Sequence, residues 1–324
     1  MGAEDKKPSS AQIQRIQEQI RLAEGSPRPA TLQSHVAAAS MAPQRPAPAH
    51  RIAHIDLTQL QEAGIPTPNG GRTRVLDEYR LIKHAVLRVA AGGSPEEHLN
   101  LVMVTSAQPG EGKTFTALSL AMSVGADEGI QVLLVDLDVV KQESCRRLGI
   151  RSELGLIDLL ANSTLTLPQA LVTTDVARLT VLPAGSDHPL AHELMAGPKM
   201  RNLLGHLSNL YRNGLVILDL PPVLASADAS MLAENVGQII LVVEANRTSR
   251  ASVEQTISLL NGCKRISFVL NKVDASELID QYGSYYGEPS YSHAKPVGAQ
   301  TTRHGLTSYL RSHFFRSNKA GSSQ

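Results

Sequence analysis

From residue 99 onward, short apolar runs alternate with longer stretches of helical period. Leu99 to Thr105, Val132 to Asp136, Leu179 to Leu182, Leu215 to Leu220, Gln238 to Val243 and Ile266 to Leu270 are apolar on both faces, which predicts buried strands. Between them, Thr114–Val124, Ala191–Tyr211, Asp228–Glu234 and Ser249–Leu260 carry apolar residues at helical spacing. Buried strands alternating with helices predict a mostly parallel sheet covered on both sides, with right-handed crossovers: a doubly wound α/β domain.

The pattern before residue 99 is different. Arg74 to Ala90 reads as a helix with Leu76, Tyr79, Ile82, Val86 and Val89 facing inward. Ile52 to Pro68 holds an Asp56-capped apolar stretch, read as a short docking helix that stops at the turn signals Pro66-Thr67-Pro68-Asn69-Gly70-Gly71. Ile13, Ile16 and Ile20 share one helical face, and Ala37 to His50 is an Ala/Pro-rich linker. The expected organisation is a flexible tail with short helices over 1–72, a folded domain over 73–275, and a tyrosine-rich segment with a basic tail over 276–324.

Composition narrows the class. Hydrophobic residues make up 42% of the 324, aromatics only 3%, and Trp is absent, so the core must be aliphatic. A formal charge of +1 gives no global field to attract nucleic acid, and no nucleic-acid partner is expected. Cys145 and Cys263 form no CxxC and no framework spacing, which points to reduced thiols in a cytoplasmic protein. No apolar run approaches the ~18 residues of a membrane span. The opening Glu4-Asp5-Lys6-Lys7 is not a signal peptide.

Candidate chemistry begins at Ala107-Gln108-Pro109-Gly110-Glu111-Gly112-Lys113-Thr114, which follows a predicted strand and opens a predicted helix. That is the setting of a Walker A loop, with Ala in its first position. Gly110 and Gly112 let the backbone curl its N–H groups toward an anion, and the helix adds its positive end. Lys113 reaches the β- and γ-phosphates of ATP, the Thr114 hydroxyl ligates Mg²⁺, and Phe115 continues the nucleotide-contacting stretch. Asp219 ends one predicted strand, where a Walker B carboxylate stands, and Asp136 and Asp138 end another. In a doubly wound sheet these strand ends face one crevice.

Asn271-Lys272-Val273-Asp274 matches the guanine-reading NKxD of GTPases, but Asp219 is followed by Leu-Pro-Pro and not by a DxxG switch. ATP is therefore the expected nucleotide, with Asn271 a candidate adenine contact. His188 and His192 stand at a metal-compatible spacing with Pro189 between them, and read as a capped helix start.

The motifs Pro109-Gly110-Glu111-Gly112-Lys113-Thr114, Val132-Leu133-Leu134-Val135-Asp136-Leu137-Asp138 and Leu215-Val216-Ile217-Leu218-Asp219 occur in the order found in the bacterial protein-tyrosine kinases of exopolysaccharide systems, the BY-kinases. The resemblance covers about 77–274 and is closest in flavour to the stand-alone kinases of exosortase-associated polysaccharide loci. It implies a P-loop fold shared with cell-division positioning ATPases. It gives Asp138 and Asp219 the Mg²⁺ shell, and Asp136 the place nearest the incoming tyrosine hydroxyl, as base or orienting group. Asp77, Arg80 and Lys83 resemble the helix by which such kinases contact a neighbouring subunit. The resemblance further implies a homo-oligomer and a separate inner-membrane chain-length or co-polymerase partner that recruits the kinase to the membrane. Two departures stand out: Val140 where the family often has Arg, and a further stretch of chain after Tyr291. The rival class is a partitioning or positioning ATPase, which carries an early P-loop lysine where this chain has Gln108.

Tyr282, Tyr285, Tyr286 and Tyr291 sit among Gly, Ser and Pro with no period for burial. Alone they read as a sticker region or a binding surface; beside this resemblance they read as autophosphorylation acceptors. From His293 to Gln324 there are five Lys or Arg and no acid, with Leu306, Tyr309, Leu310, His313 and Phe314 at helical spacing. Three fates are open to that stretch: a disordered tail, a helix docked on the protein itself, or peripheral contact with an anionic membrane.

Overall fold

The computed structural model describes residues Ile52–Asp274 and the pair Tyr309–Leu310. The four clustered tyrosines and the Ile13–Ile20 stretch lie outside the described residues.

The described strands form one sheet. They are β1 (Ile52–Ala53), β2 (Leu101–Ser106), β3 (Val132–Asp136), β4 (Val172–Thr174), β5 (Leu179–Leu182), β6 (Leu215–Asp219), β7 (Gln238–Glu244), β8 (Ile266–Asn271) and β9 (Tyr309–Leu310), in the order β1-β4-β5-β3-β6-β2-β7-β8-β9. Every pairing from β5 through β8 is parallel. The antiparallel pairings are β4 on β5 and β9 on β8. The expected fold class is the observed one, and the bounds of β3 and β5 coincide with the predicted runs.

Strand side chains alternate between the two faces, so one strand feeds two cores. Val102, Val104, Leu134, Ile217 and Ile240 pack on one side, under α2 (Arg74–Ala90) and α3 (Lys113–Gly125). Leu101, Met103, Leu133, Leu218 and Ile239 pack on the other, under α5 (Leu156–Ala161), α7 (Ala191–Ala196) and α8 (Pro198–Leu210). The single helix expected over Ala191–Tyr211 is broken at Gly197-Pro198, because proline lacks the N–H that would continue the ladder and instead starts α8.

The folded body begins before the expected boundary at residue 73. Strand β1 pairs in parallel with β4, and Asp56 caps α1 (Leu57–Glu62) by accepting from the N–H groups of Thr58 and Gln59 at 3.0 and 3.1 Å. Ile55, Leu60 and Ile65 are buried in the first core. At the other end, Tyr309 and Leu310 fall at helical spacing in the sequence. They instead form β9, whose partners Leu270 and Val269 satisfy the edge of β8.

Two expectations for α2 need correcting. Leu76 and Val89 are only half-buried, whereas Lys83 is almost fully enclosed. Its ammonium donates to the Asp127 carboxylate at 2.6 Å and to the Ser123 carbonyl at 3.2 Å, so it staples α2 to α3 rather than facing a neighbouring subunit. Lys83 lies four residues after Tyr79 and three before Val86, on the buried face of the helix. Asp77 and Arg80 do lie at the surface, paired at 2.9 Å.

Candidate active site

Strands β2, β3 and β6 lie side by side with their carboxyl ends together, which brings the loop after β2 beside Asp136, Asp138 and Asp219. Asp136 and Asp219 are register partners on adjacent strands. The loop after β2 curls through Gly110 at φ +88° and Gly112 at φ +101°, backbone states that glycine adopts without strain. A Cβ on Gly112 would also run into the Asn271 amide. Helix α3 starts immediately afterwards, so its free N–H groups open on the loop.

The loop is braced from within and from behind. Glu111 is buried, and its carboxylate accepts from the Gln108 N–H at 2.8 Å and from the Thr248 hydroxyl. The Ser106 hydroxyl donates to the Gln108 carbonyl at 2.9 Å. From the end of β8, Asn271 donates to the Glu111 carbonyl and Lys272 to the Gly110 carbonyl, both at 2.8 Å. Asn271 is thus a buried strut of the loop: its Nδ2 is engaged there and its Oδ1 accepts from the Lys272 N–H, which redirects the expected adenine contact. Phe115 likewise turns its ring into the core against Tyr79, 6.1 Å between centroids, leaving only its backbone on the loop side. Thr248 and Lys272 were missed as loop supports. The signal for Lys272 lies in the Asn271-Lys272-Val273-Asp274 tetrad, whose familiar meaning is base reading.

Lys113 points across the loop at the carboxylates. Its ammonium lies 3.2 Å from Asp138 Oδ2, 3.5 Å from Asp219 Oδ1 and 3.2 Å from the Thr114 hydroxyl. Asp219 is fully buried; the Ser144 hydroxyl donates to its Oδ2 at 2.8 Å, while Oδ1 accepts no hydrogen bond. The Lys113 charge lies within ion-pair range of that oxygen without hydrogen-bonding it. Burial pushes the Asp219 carboxyl above its usual range, and Lys113 partly offsets this. This buried carboxylate oxygen, with Asp138 and the Thr114 hydroxyl, makes a donor set of hard oxygens that suits Mg²⁺.

Asp136 is wholly enclosed. Its two oxygens accept from the backbone N–H of Asp138 at 3.2 Å and of Cys145 at 3.0 Å. Burial, and then the negative Asp219 beside it, push its pKa up to about 7. Through these bonds Asp136 also fixes the turn that carries Asp138. His188 accepts from the Leu190 N–H at 3.1 Å just ahead of α7, whose N-cap Leu190 offers no side-chain cap, and His192 pairs with the buried Asp228 at 2.9 Å. Among the described residues no group of side chains suits a metal by His, Cys and carboxylate ligands alone, and no helix is long and apolar enough to cross a membrane.

A sequence-family profile described as an AAA domain matches residues 100–272. The tyrosine-protein kinase YwqD of Bacillus subtilis is 31% identical over 213 residues, covering 65% of this chain and 86% of that one. EpsB of Ralstonia solanacearum is 33% identical over 210 residues, 62% of this chain, but the match spans only 28% of that longer protein. Among solved structures, the kinase domain of VpsO superposes with a TM-score of 0.50 at 32% identity, covering 60% of this chain and all of that domain. The shared span contains the P-loop and all three aspartates, and the matched proteins include tyrosine kinases of one architecture. The chain belongs to the bacterial tyrosine-protein kinase family.

Proposed function

We propose that this chain is an ATP-dependent protein-tyrosine autokinase that moves the γ-phosphoryl group of ATP onto the C-terminal tyrosines Tyr282, Tyr285, Tyr286 and Tyr291 of neighbouring copies, and so regulates exopolysaccharide synthesis or export. The observation that carries the reading is the meeting of Lys113, Thr114, Asp138 and Asp219 at one strand-end crevice, with Asp219 Oδ1 facing the Lys113 ammonium at 3.5 Å. The kinship with YwqD favours a kinase over a partitioning ATPase.

In this reading the N–H groups of Gly110 to Thr114 cradle the phosphates and Lys113 exchanges its carboxylate partners for phosphate oxygens. Thr114, Asp138 and Asp219 would hold Mg²⁺, which when bound neutralises charge on the transferring phosphoryl group. A bond forms from the tyrosine oxygen to the γ-phosphorus, the bridging bond to ADP breaks, and the hydroxyl proton passes to solvent or to Asp136. Such transfer asks mainly for positioning, so Asp136 would act as base or orienting group for the tyrosine hydroxyl while holding the Asp138 turn in place. The partner expected at the membrane is a separate polysaccharide co-polymerase, contacted from the cytoplasmic side.

Incubation with γ-labelled ATP and Mg²⁺, followed by phosphotyrosine detection and peptide mapping, tests the reading. Label on tyrosines within 282–291 is expected. ATP hydrolysis without any phosphotyrosine would return the chain to the ATPase class.

A further inference from the structure

Immediately after the Asp138 turn the surface opens into a cavity of about 720 Å³, lined by Val140, Lys141, Arg146, Ile150, Arg151 and Glu153 among others. One of its lining residues adjoins the transfer site: the Lys141 N–H donates to Asp138 Oδ1 at 3.1 Å, and Asp138 Oδ2 holds Lys113. Its charge is one-sided, three cations against Glu153. Arg146 is occupied by Glu143 at 2.7 Å, but Lys141 and Arg151 are exposed and make no ion pair among the described residues. Val140 stands at the rim 80% exposed, an unusual position for a valine unless an apolar group comes to lie on it. The turn presenting these residues is held under strain, with Gln142 at φ +46° and its amide tied to the Gly185 carbonyl at 2.9 Å.

The chain contains a segment of complementary chemistry. Between Ala275 and Ala294 there are three acids, Glu277, Asp280 and Glu288, no Lys or Arg, and four tyrosines. The stretch that follows, His293 to Gln324, is purely basic in its charges and would be repelled from the same cavity. We infer that this basic cavity is the docking subsite for the acidic, tyrosine-bearing segment 276–291 of a second copy of the chain. The inference rests on the transfer reading for its partner and adds the subsite. Lys141 and Arg151 attract the carboxylates, Val140 receives a tyrosine ring, and the bound segment lies beside Asp138. The attraction is between exposed groups, so it is screened by salt and acts on acceptor affinity and not on the chemical step.

The test uses the full chain with Mg²⁺ and ADP, and a fluorescein-labelled peptide of residues 276–292, read by anisotropy. Lys141→Glu with Arg151→Glu is expected to weaken binding roughly tenfold at low salt. The same pair should raise the KM for peptide phosphorylation while leaving the KM for ATP unchanged. A peptide carrying Glu277→Lys, Asp280→Lys and Glu288→Lys should bind the wild-type chain poorly and regain affinity for the reversed chain. Equal affinity of wild-type and reversed chains overturns the inference. So does absence of peptide binding to the full chain, as when its own segment fills the cavity. Peptide that binds in a charge-dependent way but is never phosphorylated leaves the docking site standing and removes the kinase. Phosphorylation indifferent to the reversal does the opposite.

Discussion

Lys113 answers to two sets of partners, the phosphates it is proposed to grip and the carboxylates it touches at 3.2 and 3.5 Å. Lys113→Met should therefore fail in two measurements at once. Phosphotyrosine formation should fall at least about 100-fold, as expected when a preorganised charge is removed from the transferring group. The melting temperature should also drop, because two buried carboxylates lose their cation, a loss of about 3–5 kcal/mol. An unchanged melting temperature would mean that the lysine stabilises nothing but nucleotide. Asp136 makes a separate prediction through pH. Its carboxyl ionises near 3.8 in the unfolded chain but only at about 7 in the fold. The folded form binds the proton more tightly, so the stability Asp136 contributes is complete below the lower value and is lost as pH rises through the upper one. Melting temperature should thus decline between about pH 4 and 7, and Asp136→Asn should flatten that decline. A slope identical in both proteins would rule out Asp136 as its source.

Among the elements, the end of β8 matters as much as the helix that follows the phosphate loop. Asn271→Ala would strip the Glu111 carbonyl of its buried donor, at a cost of about 1–3 kcal/mol, and loosen the loop. Nucleotide affinity measured by calorimetry should fall while the far side of the sheet keeps its stability. For α2, Lys83→Ala should lower the melting temperature without altering oligomeric mass in light scattering, since Asp127 and Ser123 are in the same chain. Arg80→Ala should alter mass if the helix face meets a neighbour. A loss of mass with Lys83→Ala at unchanged stability would reverse this assignment. These elements also show what was legible beforehand. Strands buried on both faces carry an unbroken apolar signal, which is why β3 and β5 could be bounded to the residue. The crevice was legible because Lys113, Asp136 and Asp219 each sit at a strand end or helix start, with Asp138 two residues past β3. The four-residue helix Leu167–Ala170 and the strand Val172–Thr174 are too short to show a period, and β1 exists only through its pairing with β4. Lys83 was misread because its charge hid a core position, and Asn271 because its partner is a carbonyl 160 residues away in sequence.

At the scale of the whole molecule the formal charge is only +1, so modification can change its sign. Phosphates on the four clustered tyrosines would add about −6 to −8 charges, giving a strongly anionic protein. Analytical ultracentrifugation after incubation with Mg²⁺ and ATP should show a smaller assembly than before, and about 0.5 M salt should restore part of the mass by screening. Phosphorylated protein that keeps its mass at low salt would show that charge does not control assembly. A last consequence comes from the pairing of β9 with β8. Strand β8 ends at Asn271, the described residues continue to Asp274, and Tyr309 pairs back onto β8, so the covalent chain bounds the four clustered tyrosines from both sides. On a loop the greatest reach belongs to the middle and not to the end. Tyr291 is 17 residues from Asp274 and 18 from Tyr309, and can travel at most about 58 Å from its anchor, whereas Tyr282, eight residues out, is limited to about 27 Å. The double anchor thus makes a ruler of the segment, ranking the four tyrosines by how far from their own sheet they can be delivered.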